Sequence, residues 1–211
     1  KNVVVGQNIL RLIKLKHLYD FRYSVKETCL LKTAACGVFK MNEDFLRIPK
    51  ARVRALIGVG GRTKKELEKK SGSTIEASRE GDVTVFGEDP LSVFNLKNVI
   101  KAIGRGFSAK DAYRLFSGDE TLSIINVPEI VGEREKTIVR MKSRIIGSGG
   151  RSKEHIEYVT NTKIAVYGKT ISIIGKHDDV ADAEGAINML LGGATHKSAF
   201  GAIQRKKVLR E

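Results

Sequence analysis

The segment Leu56–Leu67 reads LIGVGGRTKKEL, and Ile145–Ile156 reads IIGSGGRSKEHI. Half of the aligned positions are identical, and leucine–isoleucine and threonine–serine exchanges cover three more. Three glycines in four positions free the backbone for a sharp bend that other residues resist. Arg and Lys follow the bend at the same offsets in both copies. The chain must therefore build one glycine-rich corner twice. Two copies at this separation mean tandem domains, not a solenoid.

The flanks of the two corners agree in order. In the first half, DFLRI reads as a strand that Pro49 terminates. KARVRALIG is a short helix with apolar positions at 53, 56 and 57. After the corner, RTKKELEKKSG is a second helix, with Thr63 and Glu66 at capping-box spacing and Gly72 as its stop. STIEAS and DVTVFG flank REG as a hairpin. Asp89-Pro90 opens a third helix, whose Leu91, Phe94, Leu96, Val99, Ile100 and Ile103 supply a core face before Gly104. The unit is β-α-α-β-β-α.

The second half repeats it. TLSIINV is a strand, Gly132–Lys136 an insertion, TIVRMKSRIIG the first helix and RSKEHIEYVTN the second. TKIAVYGKTISIIG is a hairpin turning at Gly168-Lys169. DDVADAEGAINMLLG is the last helix, with Val180, Ala183, Ile187 and Leu190 on one face and Gly192 as its stop. The step from Gly61 to Ile75 equals that from Gly150 to Ile164. Between the halves, a short helix over Ala109–Phe116 is expected, with Phe107, Tyr113, Leu115 and Phe116 joining the two units.

These boundaries divide the 211 residues into a basic extension (1–40), a first domain (41–105), a helical linker (106–120), a second domain (121–193) and a basic C-terminal tail (194–211). The fold class is α+β, each domain a three-stranded antiparallel sheet packed on three helices. Residues 1–40 hold eight basic and two acidic residues and show no sustained period. They read as a poorly packed extension, the alternative being a basic helix over Ile9–Leu18 docked on the main body.

Thirty-eight Lys and Arg against 24 Asp and Glu give a formal net charge of +14. That excess favours a polyanionic partner, nucleic acid before an acidic membrane surface. No apolar run approaches the ~20 residues that span a bilayer. Cys29 and Cys36 lack metal-type spacing, and the pair suits a reducing, cytoplasmic compartment. The four histidines are scattered, and no catalytic triad, metal cluster or cofactor motif is present, so a non-catalytic protein without cofactors is expected.

The corner is neither of the common nucleotide loops. A P-loop needs Lys and Ser/Thr after its last glycine, and a dinucleotide fingerprint needs a glycine where Thr63 and Ser152 stand. A helix–GxxG–helix corner remains. Gly58, Val59, Gly60 and Gly61, like Gly147, Ser148, Gly149 and Gly150, can press the main chain against a sugar–phosphate backbone. The next helix then presents its amide end to the phosphate. Arg62 and Lys64 in one copy, Arg151 and Lys153 in the other, add charge, as do Arg54 and Arg144 on the preceding helices. Val53, Leu56 and Ile75, with Ile145, Ile164 and Val166, are candidates for an aliphatic floor under unpaired bases. The competing reading is purely mechanical: glycines permit a helix–helix corner, and the lysines coat a solvated face.

These corners, each inside β-α-α-β-β-α, resemble KH domains of type I over roughly Asn42–Gly104 and Thr121–Gly193. AIGRGFSAKDAYRLF, SIINVPEIVG and VYGKTISIIG are further similar to the archaeal two-KH rRNA-processing family, relatives of the eukaryotic ribosome-biogenesis factor Partner of Nob one. The resemblance implies a GxxG loop clamping about four nucleotides of single-stranded RNA. It also implies small-subunit rRNA near its 3′ end as target, with the endonuclease Nob one and the alpha subunit of translation initiation factor two as partners. Lys64 and Lys153 stand where many KH domains carry isoleucine. The loop centres, Val59-Gly60 and Ser148-Gly149, lack the basic residue many KH loops carry, so phosphate attraction there rests on backbone amides. Residues 1–40 have no counterpart in the family. The implied function is a single-stranded RNA-binding assembly and pre-rRNA 3′-end processing factor. The alternatives are a translation-initiation adaptor that uses KH folds as docking surfaces, and an exosome-type KH subunit, which would need an S1-like domain.

Overall fold

The computed structural model describes residues 42–208. The readings made for residues 1–40, including both cysteines, lie outside the described residues. The first half runs β1 (Asn42–Arg47), α1 (Lys50–Ile57), the corner, α2 (Arg62–Ser71), β2 (Thr74–Ala77), β3 (Asp82–Gly87) and α3 (Pro90–Gly104). The strands form an antiparallel sheet in the order β1-β3-β2. Along β3, Val83 and Val85 are buried while Thr84 and Phe86 are half-exposed, the period-2 signature of a sheet with one covered face. Asp89 caps α3, accepting hydrogen bonds from the Leu91 and Ser92 amides and the Ser92 hydroxyl. The Ser92 hydroxyl, and then the two amides, hold its carboxyl below the usual carboxylate range.

The core face of α3 differs from expectation at two positions. Leu91 and Phe94 are 64% and 57% exposed, and Val93 is buried in their place. The buried stripe is 93, 96, 99, 100 and 103, spaced at three and four residues, so 91 and 94 fall outside the arc that meets the sheet.

The second half runs β4 (Glu120–Asn126), α5 (Val127–Val131), α6 (Glu135–Ile146), the second corner, α7 (Arg151–Thr160), β5 (Lys163–Tyr167), β6 (Thr170–Lys176) and α8 (His177–Leu191). Its sheet order is β4-β6-β5, again antiparallel. The stretch expected as an insertion contributes the start of α6, and a short helix precedes it. Residues after 193, read as a tail, form α9 (His196–Val208), which lays Ala199 and Ile203 into the second core.

Between the halves, α4 (Ala109–Ala112) continues into a 3-10 turn over Tyr113–Ser117. Phe107, Ala112 and Leu115 are buried in the first core, and Tyr113 and Phe116 pack against it. Ala165 and Ile174, from the second sheet, join the same cluster. Strand β6 is buried along Thr170–Gly175 because its faces serve different cores. Ile171 and Ile173 meet the second domain's own helices, while Ile174 points into the first cluster. Arg52 adds to this seam. Its guanidinium donates to the carbonyls of Ile103 (2.8 Å) and Phe107 (2.6 Å) and lies 5.7 Å from the Tyr167 ring centroid.

Candidate nucleic-acid interface

Each corner is assembled from the same backbone angles. Gly58 has φ 74°, ψ 177° and Gly147 φ 75°, ψ 176°, a region that is essentially glycine-only. Space imposes the same choice. A Cβ on Gly58 would lie 2.9 Å from the Thr63 amide nitrogen, and one on Gly147 the same distance from that of Ser152. Gly60 and Gly149 (both φ 61°), then Gly61 and Gly150 (φ 75° and 84°), complete a left-handed turn onto α2 and α7. Around Gly60, Gly61 and Gly149 nothing approaches within 4 Å of where a Cβ would be. Val59 is 86% exposed, and Ser148 and Gly149 are exposed too. Both loops stand open.

Neither α2 nor α7 has a side-chain N-cap, because glycine occupies the cap position. The expected capping box is therefore not formed. Thr63 lies inside the first turn, against Gly58, and Glu66 accepts a hydrogen bond from the Tyr113 hydroxyl at 2.8 Å. Desolvation, and then that bond to Glu66, pushes the Tyr113 phenol up to about 12. The Gly61 and Arg62 amides donate to the Gly58 and Val59 carbonyls, and the Gly150 and Arg151 amides to those of Gly147 and Ser148, so the corner itself satisfies them. No side chain caps either helix, and the positive end of each dipole points toward its loop.

The other expected contacts divide into those that reach the surface and those that do not. Arg62 and Arg151 are exposed beside the loops, and Arg54 is exposed on α1. Lys64 and Lys153 are half-buried and pair with Glu68 (3.8 Å) and Glu157 (3.6 Å) on their own helices. Part of their charge is thereby committed within the fold. Arg144 is not a loop contact. Its guanidinium donates to the carbonyls of Leu190 (3.4 Å), Gly193 (3.3 Å) and Ala194, closing the C-terminal end of α8. Cations stabilise that end of a helix.

Leu56, Ile75, Ile145 and Ile164 are corrections as well. Each is no more than 2% exposed, so they support the groove from inside the core and do not face a base. Val53 is buried with them. Strand and helix periodicity shows that these positions share a face, and burial of the helix–sheet interface claims that face first. The apolar positions left half-exposed in both copies are Ile57 with Ala77, and Ile146 with Val166.

Two glutamates escaped the sequence reading. Glu68 Oε1 accepts from the Ile75 amide at 2.9 Å, and Glu157 Oε1 accepts from the Ile164 amide at 2.6 Å. Each ties the second helix to the strand beside it. Their equal offset from the corner was the available signal. Among the described residues no group of His, Cys, Asp and Glu is placed to hold a metal ion, and no helix is long and apolar enough to cross a membrane.

Comparison with known proteins agrees with this geometry. Residues 121–208 match the eukaryotic-type (type I) KH-domain model for the second KH domain of PNO1, and residues 43–102 match the general KH-domain model. A KH domain-containing protein of Methanocaldococcus jannaschii is 38% identical over 168 residues, covering 78% of this chain and 74% of that protein. The RNA-binding protein pno1 of Ixodes scapularis is 27% identical over 119 residues, 56% of this chain and 51% of that protein. Dim2p of Pyrococcus horikoshii superposes with a TM-score of 0.74 at 38% identity, covering 78% of this chain and 99% of the other. The solved complex of a/eIF2alpha, aDim2p and rRNA from the same organism gives 0.76 at 38% identity, covering 80% and 96%. The chain belongs to the archaeal KH-domain proteins homologous to PNO1 and Dim2.

Proposed function

We propose that this chain binds unpaired segments of small-subunit rRNA near the 3′ end and acts as an assembly and 3′-end processing factor. The observation that carries the reading is the pair of exposed glycine corners, each opening a helix whose first amides have no side-chain cap. A phosphate seated at the positive end of that helix meets Arg62 or Arg151 at once, and glycine leaves no side chain between ligand and backbone. The solved relative held with rRNA and a/eIF2alpha supports the choice of RNA. It also supports the alpha subunit of initiation factor two as a partner, and the endonuclease Nob one is the partner expected for the processing step.

Ultraviolet crosslinking of the tagged chain to total RNA of its source cells tests the target. The expected result is reads concentrated at the 3′ end of small-subunit rRNA and its precursor. Reads spread evenly over messenger and ribosomal RNA would overturn the assignment. In purified form, log affinity for single-stranded RNA falls against log salt with a slope of roughly −0.7 per neutralised phosphate.

A further inference from the structure

Beside the second corner, on the flank where α9 packs, lies a cleft of about 420 Å³ lined by Gly147, Ser148, Arg151, Ser152, His155, His196 and Phe200. A second, wider cleft shares His155, His196 and Phe200 and continues along α9 to Gln204 and Arg205. The floor is aromatic: the Phe200 ring centroid is 4.4 Å from that of His155 and 5.9 Å from that of His196. His196 Nε2 lies 2.9 Å from the Arg144 carbonyl. A carbonyl can only accept, so this nitrogen carries the proton and the ring is held in place. Ser152 is 8% exposed, lines the cleft, and its Oγ has no hydrogen-bond partner. No Asp or Glu lines either cleft, whereas Arg151, Lys197 and Arg205 do.

We propose that this cleft is an additional nucleotide subsite, which takes the next unpaired residue of an RNA strand already held by the Gly147–Gly150 loop. The inference rests on the RNA reading above and extends it to a surface built by α9. The cleft begins at residues of the loop itself, so a strand on the loop needs no detour to enter it. Imidazole and phenyl faces stack bases without demanding a sequence, and the cationic rim suits phosphate. The first domain shows the contrast. Its residue in register with His155 is Glu66, whose carboxylate is bonded to Tyr113. Helix α2 therefore carries a carboxylate where α7 carries an imidazole, and it offers no ring of its own for a base to stack on.

The test uses the full chain with Val59 and Gly60 replaced by aspartate, so that only the second corner is active. Randomised-sequence fluorescent oligoribonucleotides of about four and about eight residues, bracketing the roughly four that one loop clamps, are titrated by anisotropy. H155E, which installs the first domain's residue, is expected to weaken the longer RNA by about tenfold, in line with one lost stacking contact. The shorter RNA is expected to bind unchanged. Lys197→Glu, on the exposed rim of α9, gives the same length-dependent loss and guards against misfolding of the first variant. Equal losses at both lengths, or none at either, overturn the subsite while leaving the loop reading intact. Failure of the parent chain to bind either RNA overturns both.

Discussion

Single backbone positions decide whether the corners exist. Gly147 sits in a conformation closed to other residues, and a methyl there would also lie 2.6 Å from the Ser152 Cβ. Gly149 has positive φ but open space around it. Gly147→Ala is therefore expected to cost roughly 3 kcal/mol and Gly149→Ala only about 1. Urea melts followed by circular dichroism check the order, and equal costs would mean that the backbone angles of the two glycines do not differ as described. The glycines were legible in the sequence as permissive residues, but which of them is obligatory was not. That depends on the approach of Thr63 and Ser152, five residues ahead, and on the direction each chain leaves the bend.

At the scale of elements, the repeat made most of the fold readable, because two copies in one register fix strand, helix and turn against each other. Asp89-Pro90, Gly72 and Gly168-Lys169 stand where local chemistry places them. What escaped depended on partners distant in sequence. The apolar residues of α1 and β2 could be assigned to a common face, but alternation does not say whether that face meets a helix or a ligand. Helix α9 carries few apolar residues, and its packing on α7 and α8 cannot be read from its own pattern. Arg144 looked like a loop cation until α8 ended beside it. The α2–connector contact makes a pH prediction. The Tyr113 phenol is raised to about 12 in the fold, so the folded state holds its proton more tightly than the unfolded chain. The stability this contributes is complete below about pH 10, the ordinary tyrosine value, and is lost as pH rises through about 12. Thermal melts across that window should fall less steeply for Tyr113→Phe than for the parent chain. Parallel slopes would place the Tyr113 hydroxyl outside the Glu66 contact.

For the molecule as a whole, the second sheet gives one face to its own helices and one to the first domain's core, and the connector fills the seam with Phe107, Ala112 and Leu115. The net charge of +14 favours a polyanion from composition alone, and the proposed docking place rests on the open corners. An aspartate at Gly60 or Gly149 is tolerated better than most side chains, since Asp visits the left-handed region. The double replacements Val59-Gly60→Asp-Asp and Ser148-Gly149→Asp-Asp in one chain therefore add four negative charges at the loops while keeping the fold. Anisotropy titration of this variant against single-stranded RNA, with a thermal melt alongside, is the measurement on which RNA binding through the corners stands. The expected result is a cooperative melt lowered by only about a few degrees, with affinity reduced by at least about tenfold as repulsion opposes the phosphates at the loops. A folded variant that binds RNA as tightly as the parent would contradict it.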